Sequence, residues 1–163
     1  MAFRLVRGVG SNQDPAVLEM YASGVVRPGM AVNIDRAGSG VVSVASAASR
    51  ITNIFGVCLD YVQGASEIQV RVIPFIPGQL WEADCISAAS TAQIGFKHAL
   101  SSASGASEIG MRVINTNYDL TAAGGVFLQL GVTNSSGSGK ILGEFLRVPA
   151  GVQQAGIAGD VYW

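Results

Sequence analysis

The chain has 163 residues, of which 49% are hydrophobic and only 13% charged, with a formal net charge of −1. That length fits one domain or two small modules sharing a core, and the apolar content excludes an intrinsically disordered chain. Ten Lys and Arg against eleven Asp and Glu leave no basic excess for nucleic acid, and 21 glycines without a three-residue period exclude a collagen-like repeat.

The first seven residues are too short and too interrupted for the apolar core of a signal peptide. Residues 1–14 read as an extended arm, apolar and Arg-bearing at first and then polar and turn-prone. Asp14 as a cap and Pro15 in the first turn predict a short helix over 14–20. Residues 30–35 alternate toward a glycine-rich turn at 36–40, and 41–44 follow, which is a hairpin pattern. Residues 54–62 read as a strand and 63–66 as a turn. Beyond it Ile68, Val70 and Val72 alternate with Glu67, Gln69 and Arg71, one face apolar and the other polar. Val126, Leu128 and Leu130 repeat that period, and the loop 134–139 turns the chain into a last strand within 140–148. No stretch approaches the roughly 18 uninterrupted apolar residues that cross a bilayer, so no membrane partner is expected.

The expected class is all-β, an antiparallel barrel or sandwich over residues 15–148. It forms either one domain or two modules of about 25–85 and 86–148, followed by a tail over 149–163. One feature rises above pattern. Residues 64–73 read GASEIQVRVI and residues 105–114 read GASEIGMRVI, identical at eight of ten positions and 41 residues apart. Phe55 and Leu59 match Phe96 and Leu100 at the same offset. Two copies are too few for a solenoid, so the repeat predicts a duplicated hairpin.

Catalytic chemistry needs convergent groups, and few are present. His98 is the one histidine, and its equivalent in the first copy is Val57, which favours a structural or interfacial role over a general base. No G-x-S-x-G occurs. Ser138-Gly139-Lys140 ends like a phosphate loop, but Asn134 stands at its first glycine and Ile141 at its hydroxyl position. The expectation is therefore no enzyme, no catalytic residues, no cofactor and no metal. Cys58 and Cys85 have no zinc-ligand spacing and are expected as reduced, buried thiols, with a single disulfide left open. Glu82 and Asp84 share a strand face, as a cation site would require, but the solvated or Arg-paired reading is favoured.

Of the ten basic residues eight are arginine, and only Lys97 and Lys140 are lysine. Interfaces favour Arg over Lys, because the planar guanidinium binds bidentately and is weakly hydrated. With so little charge overall, the composition leans toward an assembly subunit. The tail ends in Val161-Tyr162-Trp163, an aromatic pair expected to dock on its own domain or on a neighbour.

Several motifs follow in a familiar order. Arg27-Pro28-Gly29-Met30-Ala31-Val32 opens a β segment, and Ile54-Phe55-Gly56-Val57 follows a Ser/Ala-rich stretch. Then come Ile76-Pro77-Gly78, Trp81-Glu82-Ala83-Asp84-Cys85 and GGVFLQLG at 124–131. Over residues 25–148 this order resembles the small β-rich decoration, or cement, proteins of tailed-bacteriophage heads. The resemblance implies a structural virion protein made in the host bacterial cytoplasm. It would add to the outer surface of the expanded head at capsomer junctions and hold it against internal DNA pressure. The implied partners are the major capsid protein and the chain itself, as a homotrimer or a dimer. The alternatives are another head or tail structural protein and a β-type ligand-binding module. By residue type and chain position the expected contacts are Phe3, Arg4, Arg7, Arg27, Trp81, Tyr162 and Trp163, with the first ten residues dispensable for folding.

Overall fold

A computed structural model describes residues 3–8, 15–34, 41–45, 54–101, 113–114 and 125–146. The described chain is all-β apart from one 3-10 turn, Thr91–Gln93. Strands β2 (Leu18–Val26), β3 (Ala31–Ile34), β4 (Val41–Val44), β5 (Ile54–Cys58) and β6 (Val62–Pro74) close a barrel in the order β2-β4-β3-β5-β6. The β2–β4 pair is parallel, and the other four barrel pairs are antiparallel. Its interior is filled by small and β-branched side chains such as Ala22, Val26, Val32, Val42, Val70 and Val72, with Phe55 as the described cluster's one aromatic ring. Such residues suit a narrow barrel, where bulk on the pleated surface must fit a small bore.

Two local expectations give way here. The helix expected over 14–20 is absent, because Leu18 already opens β2. The helix formers Leu18, Glu19 and Met20 pair instead with Val72, Arg71 and Val70 of β6. A long ladder outweighs a propensity of a few tenths of a kcal/mol per residue. The turn expected at 63–66 is likewise strand, and the chain reverses just before it, between Cys58 and Val62. The register of β2 on β6 slips between Ala22 and Gly24, where Gly24 takes a φ of +87°. A glycine at positive φ lets the backbone absorb the bulge without Cβ strain.

The second layer is a six-stranded sheet in the order β1-β7-β11-β10-β8-β9. Its strands are β1 (Phe3–Arg7), β7 (Leu80–Asp84), β8 (Lys97–Leu100), β9 (Val113–Ile114), β10 (Phe127–Asn134) and β11 (Lys140–Phe145), all paired antiparallel. An isolated bridge between Cys85 and Val113 ties β9 back to the end of β7. The duplicated segment lies in corresponding places. Its first copy runs within β6, where Val72 and Ile73 pair with Cys58 and Val57 of β5. The matching Val113 and Ile114 form β9 and pair with Leu100 and Ala99 of β8, one residue out of the first copy's register. The rest of the second copy lies outside the described residues.

The sheet packs its inner face on the barrel, and β5 is buried along its whole length between the two. Phe55 and Cys58 join the barrel interior, whereas Ile54 and Val57 join the sheet core. That core centres on Phe145, whose ring lies 3.7 Å from Phe75, 4.9 Å from Phe3, 5.0 Å from Phe127 and 6.0 Å from Trp81. Gly143 makes room for it, since a Cβ there would collide with the Phe127 ring and the Leu128 carbonyl. On β10 the buried residues are Phe127 and Gln129, while Leu130 stands 47% exposed. Of the expected alternation, Val126, just ahead of the strand, is buried, but Leu128 and Leu130 turn away from the core: within β10 the large Phe127 ring decides which side turns inward.

Phe3 and Trp81 are each 1% exposed in this cluster, so neither is a surface anchor. Residues 3–7 of the expected arm are a strand of the chain's own sheet, with Phe3 opposite Ala83 and Leu5 opposite Trp81. Truncating a buried ring of this kind costs about 3–5 kcal/mol. Phe3→Ala is therefore expected to lower stability by that order in urea unfolding, and deletion of residues 1–8 by at least as much. A truncated chain with an unchanged unfolding midpoint would contradict this placement.

Candidate interaction surface

Two outer faces remain, and they differ in chemistry. On the sheet, alternation directs Arg4 of β1, Glu82 and Asp84 of β7, Lys140, Leu142 and Glu144 of β11, Leu128 of β10 and Lys97 of β8 to one side. Glu82 accepts from Arg4 at 3.1 Å and lies 3.6 Å from Lys140, which reaches Asp84 at 3.4 Å. Of the two carboxylates expected to be solvated or Arg-paired, Glu82 thus sits between cations of the two adjacent strands and Asp84 beside the lysine. Both lysines of the chain are on this face.

The outer face of the barrel has no lysine. Along β2 and β6, Glu19 stands opposite Arg71 and Tyr21 opposite Gln69. Gln69 Nε2 donates to Glu19 Oε2 at 2.8 Å. Arg71 grips Asp60 through Nη2 at 2.7 Å and Nε at 3.2 Å, while its backbone N–H donates to the same carboxylate. Next along the chain, the Tyr61 hydroxyl donates to Gln63 at 2.6 Å, and the Arg27 guanidinium lies 5.4 Å from the Tyr61 ring centre. Tyr21 and Tyr61 remain 50% and 54% exposed. Apart from Tyr21, these side chains are held by one another before any partner arrives, which reduces the entropy lost on binding.

Of the expected contacts, Arg27 lies on this surface. Arg4 and Arg7 are exposed on β1, at the far layer, and Tyr162 and Trp163 lie outside the described residues. Tyr21, Tyr61 and Gln69 were not singled out from sequence. A strand reading of 18–26 would have shown Tyr21 sharing a face with Glu19, but the helix expectation hid it.

The buried His98 and Gln129 are bonded to each other. Gln129 Nε2 donates to the Ser90 carbonyl at 2.9 Å, which leaves its Oε1 to accept from His98 Nε2 at 3.0 Å. His98 thus carries its proton on Nε2 within the sheet core and ties β8 to β10. The thiols are free and buried in different cores, so no disulfide joins them. Burial raises the Cys58 pKa, and its thiol donates to the Asp60 carbonyl. Burial and the neighbouring Asp84 charge push Cys85 up to about 12. Among the described residues no group of three or more His, Cys, Asp or Glu is placed to hold a metal ion, and no helix is long and apolar enough to cross a membrane.

Compared with known proteins, the chain matches no family model and no curated protein.

Since the thiolate is the nucleophile, both cysteines are expected to resist iodoacetamide at pH 8 in the folded protein and to react fully in urea. Rapid native labelling of Cys85 would refute its burial. Asp60 behaves in the opposite sense. The Arg71 side-chain hydrogen bonds, then the Arg71 backbone N–H, hold its carboxyl below the usual range. Its contribution to stability is therefore complete above the unfolded value of about 3.9 and fades as pH falls through the lower folded value. The stability difference between the natural chain and Asp60→Asn should shrink as pH goes from 7 to about 2. A difference that stays constant across this range would show that the ion pair contributes nothing.

Proposed function

We propose that this chain is a structural virion protein, a decoration or cement protein on the outside of a tailed-phage head. In this reading it binds the major capsid protein at capsomer junctions, self-associates as a small oligomer, and reinforces the shell against packaged DNA. The reading is carried by the partition of the two outer faces. Both lysines lie on the sheet side, whereas the barrel side presents Tyr21, Tyr61, Arg27 and Arg71. Tyr and Arg are enriched at interface centres and Lys is depleted there, because an ammonium holds its hydration more tightly than a guanidinium. The barrel face is accordingly the coat-facing side and the sheet face the solvent side. The motif order over residues 25–148 adds the resemblance to head decoration proteins.

Attachment in this reading comes from area and multiplicity. Each copy buries a modest patch, and an oligomer gripping several coat subunits at once multiplies weak contacts into lasting occupancy.

The test uses expanded, undecorated heads of the parent phage. The variant Tyr21→Ala/Tyr61→Ala should bind them about tenfold or more weakly, since each lost interface aromatic costs on the order of 1 kcal/mol or more. Its unfolding midpoint should stay near that of the natural chain, and Lys97→Ala should bind normally. Full occupancy by the tyrosine variant would overturn the assignment of this face. No binding of the natural chain to such heads would overturn the function.

A further inference from the structure

We propose that β1 is exchanged between copies, so that in the assembled protein residues 3–7 of one chain lie on β7 of a second copy. This rests on the self-association in the proposed function and names the element that performs it. The strand reaches its sheet from the opposite end of the sequence, with the whole barrel lying between β1 and β7. Its tether to the barrel is residues 8–17, a stretch that spans roughly 33 Å when extended.

As an edge strand, β1 can leave without breaking another pairing, because β7 stays bonded to β11. What it cannot do is leave its slot empty. Departure would uncover Phe127 and Phe145, against which Phe3 packs, and would strip Arg4 from Glu82 and the Phe3 N–H from the Gly29 carbonyl. The slot therefore demands an occupant with an aromatic ring, a cation at the next position and an apolar residue after it. The structure shows which sequence satisfies it, namely Phe3-Arg4-Leu5. An identical strand from a second copy restores every one of these contacts, so exchange loses none of them. Only the local concentration of the chain's own strand opposes it, and crowding copies into a small oligomer supplies a competing concentration.

The experiment uses the full chain carrying Arg4→Cys and Glu82→Cys, at positions that face each other directly in the register. Paired strands hold such residues about 4.5–5.5 Å apart between Cα atoms, within disulfide range. The natural thiols are buried and do not compete. The variant is oxidised once as a dilute monomer and once as the oligomer isolated by size exclusion. Each sample is then run on a non-reducing gel, and its 4–82 links are mapped by mass spectrometry. The dilute sample should close internally and run as single chains. In the oligomer, at least half of the 4–82 links should join different chains and give covalent multimers. An oligomer that yields only internally closed single chains, or one whose position 82 links to no copy's position 4, overturns exchange while leaving self-association standing. A chain that stays monomeric by light scattering at every concentration overturns both.

Discussion

Four aromatic rings meet around that of Phe145, and the rest of the molecule is arranged by that meeting. Phe75 arrives directly from the end of the barrel strand β6, Trp81 from β7, Phe127 from β10, and Phe3 from the other end of the chain. The ring of Phe75 stacks on that of Phe145 with an interplanar angle of 19°, while Trp81 and Phe127 meet it edge-on. Stacked and edge-to-face contacts favour specific ring orientations as well as burying area. The barrel exit, the sheet and the N-terminal strand are thereby held in one relation. Gly143 and the inward turn of Phe127 follow from the same need for space.

That arrangement accounts for the low charge. The molecule has two apolar interiors, one in the barrel and one between barrel and sheet, and β5 serves both. Much of the sequence must therefore be apolar. Among the described residues six charged side chains are paired: Arg4, Glu82, Lys140 and Asp84 across three strands of the sheet, and Asp60 with Arg71 on the barrel. Their cations reach into solvent, and these pairs set the chemical character of each face.

The strand pattern was legible where alternation and turn residues agreed. The hairpin of β3 and β4, the inward Val70 and Val72, and the equivalence of the β5–β6 and β8–β9 pairs all follow from local sequence or from the repeat. Legibility failed where two local patterns competed. Residues 18–20 favour a helix in isolation but are recruited by the long β6. Residues 63–66 look like a turn yet extend a strand, and on β10 two alternating sets of side chains compete for the interior. Of the candidate contacts, Arg27 lies on the surface that the fold exposes, whereas Phe3 and Trp81 proved to be core. Residue type marks a large ring as valuable to bury, but not against which surface.

By itself the sequence determined the all-β class, the duplication and the sparing use of lysine, because these depend on composition, period and identity. Tertiary structure decided that the N-terminal segment is a strand, that the rings converge on Phe145, and that the two lysines lie on the opposite layer from Tyr21 and Tyr61. Those outcomes depend on pairings between residues far apart in the chain, such as Phe3 with Ala83 and Tyr21 with Gln69. Local spacing sets which residues share a face. It does not set which face meets which, because that is chosen by the free energy of burying whole surfaces together.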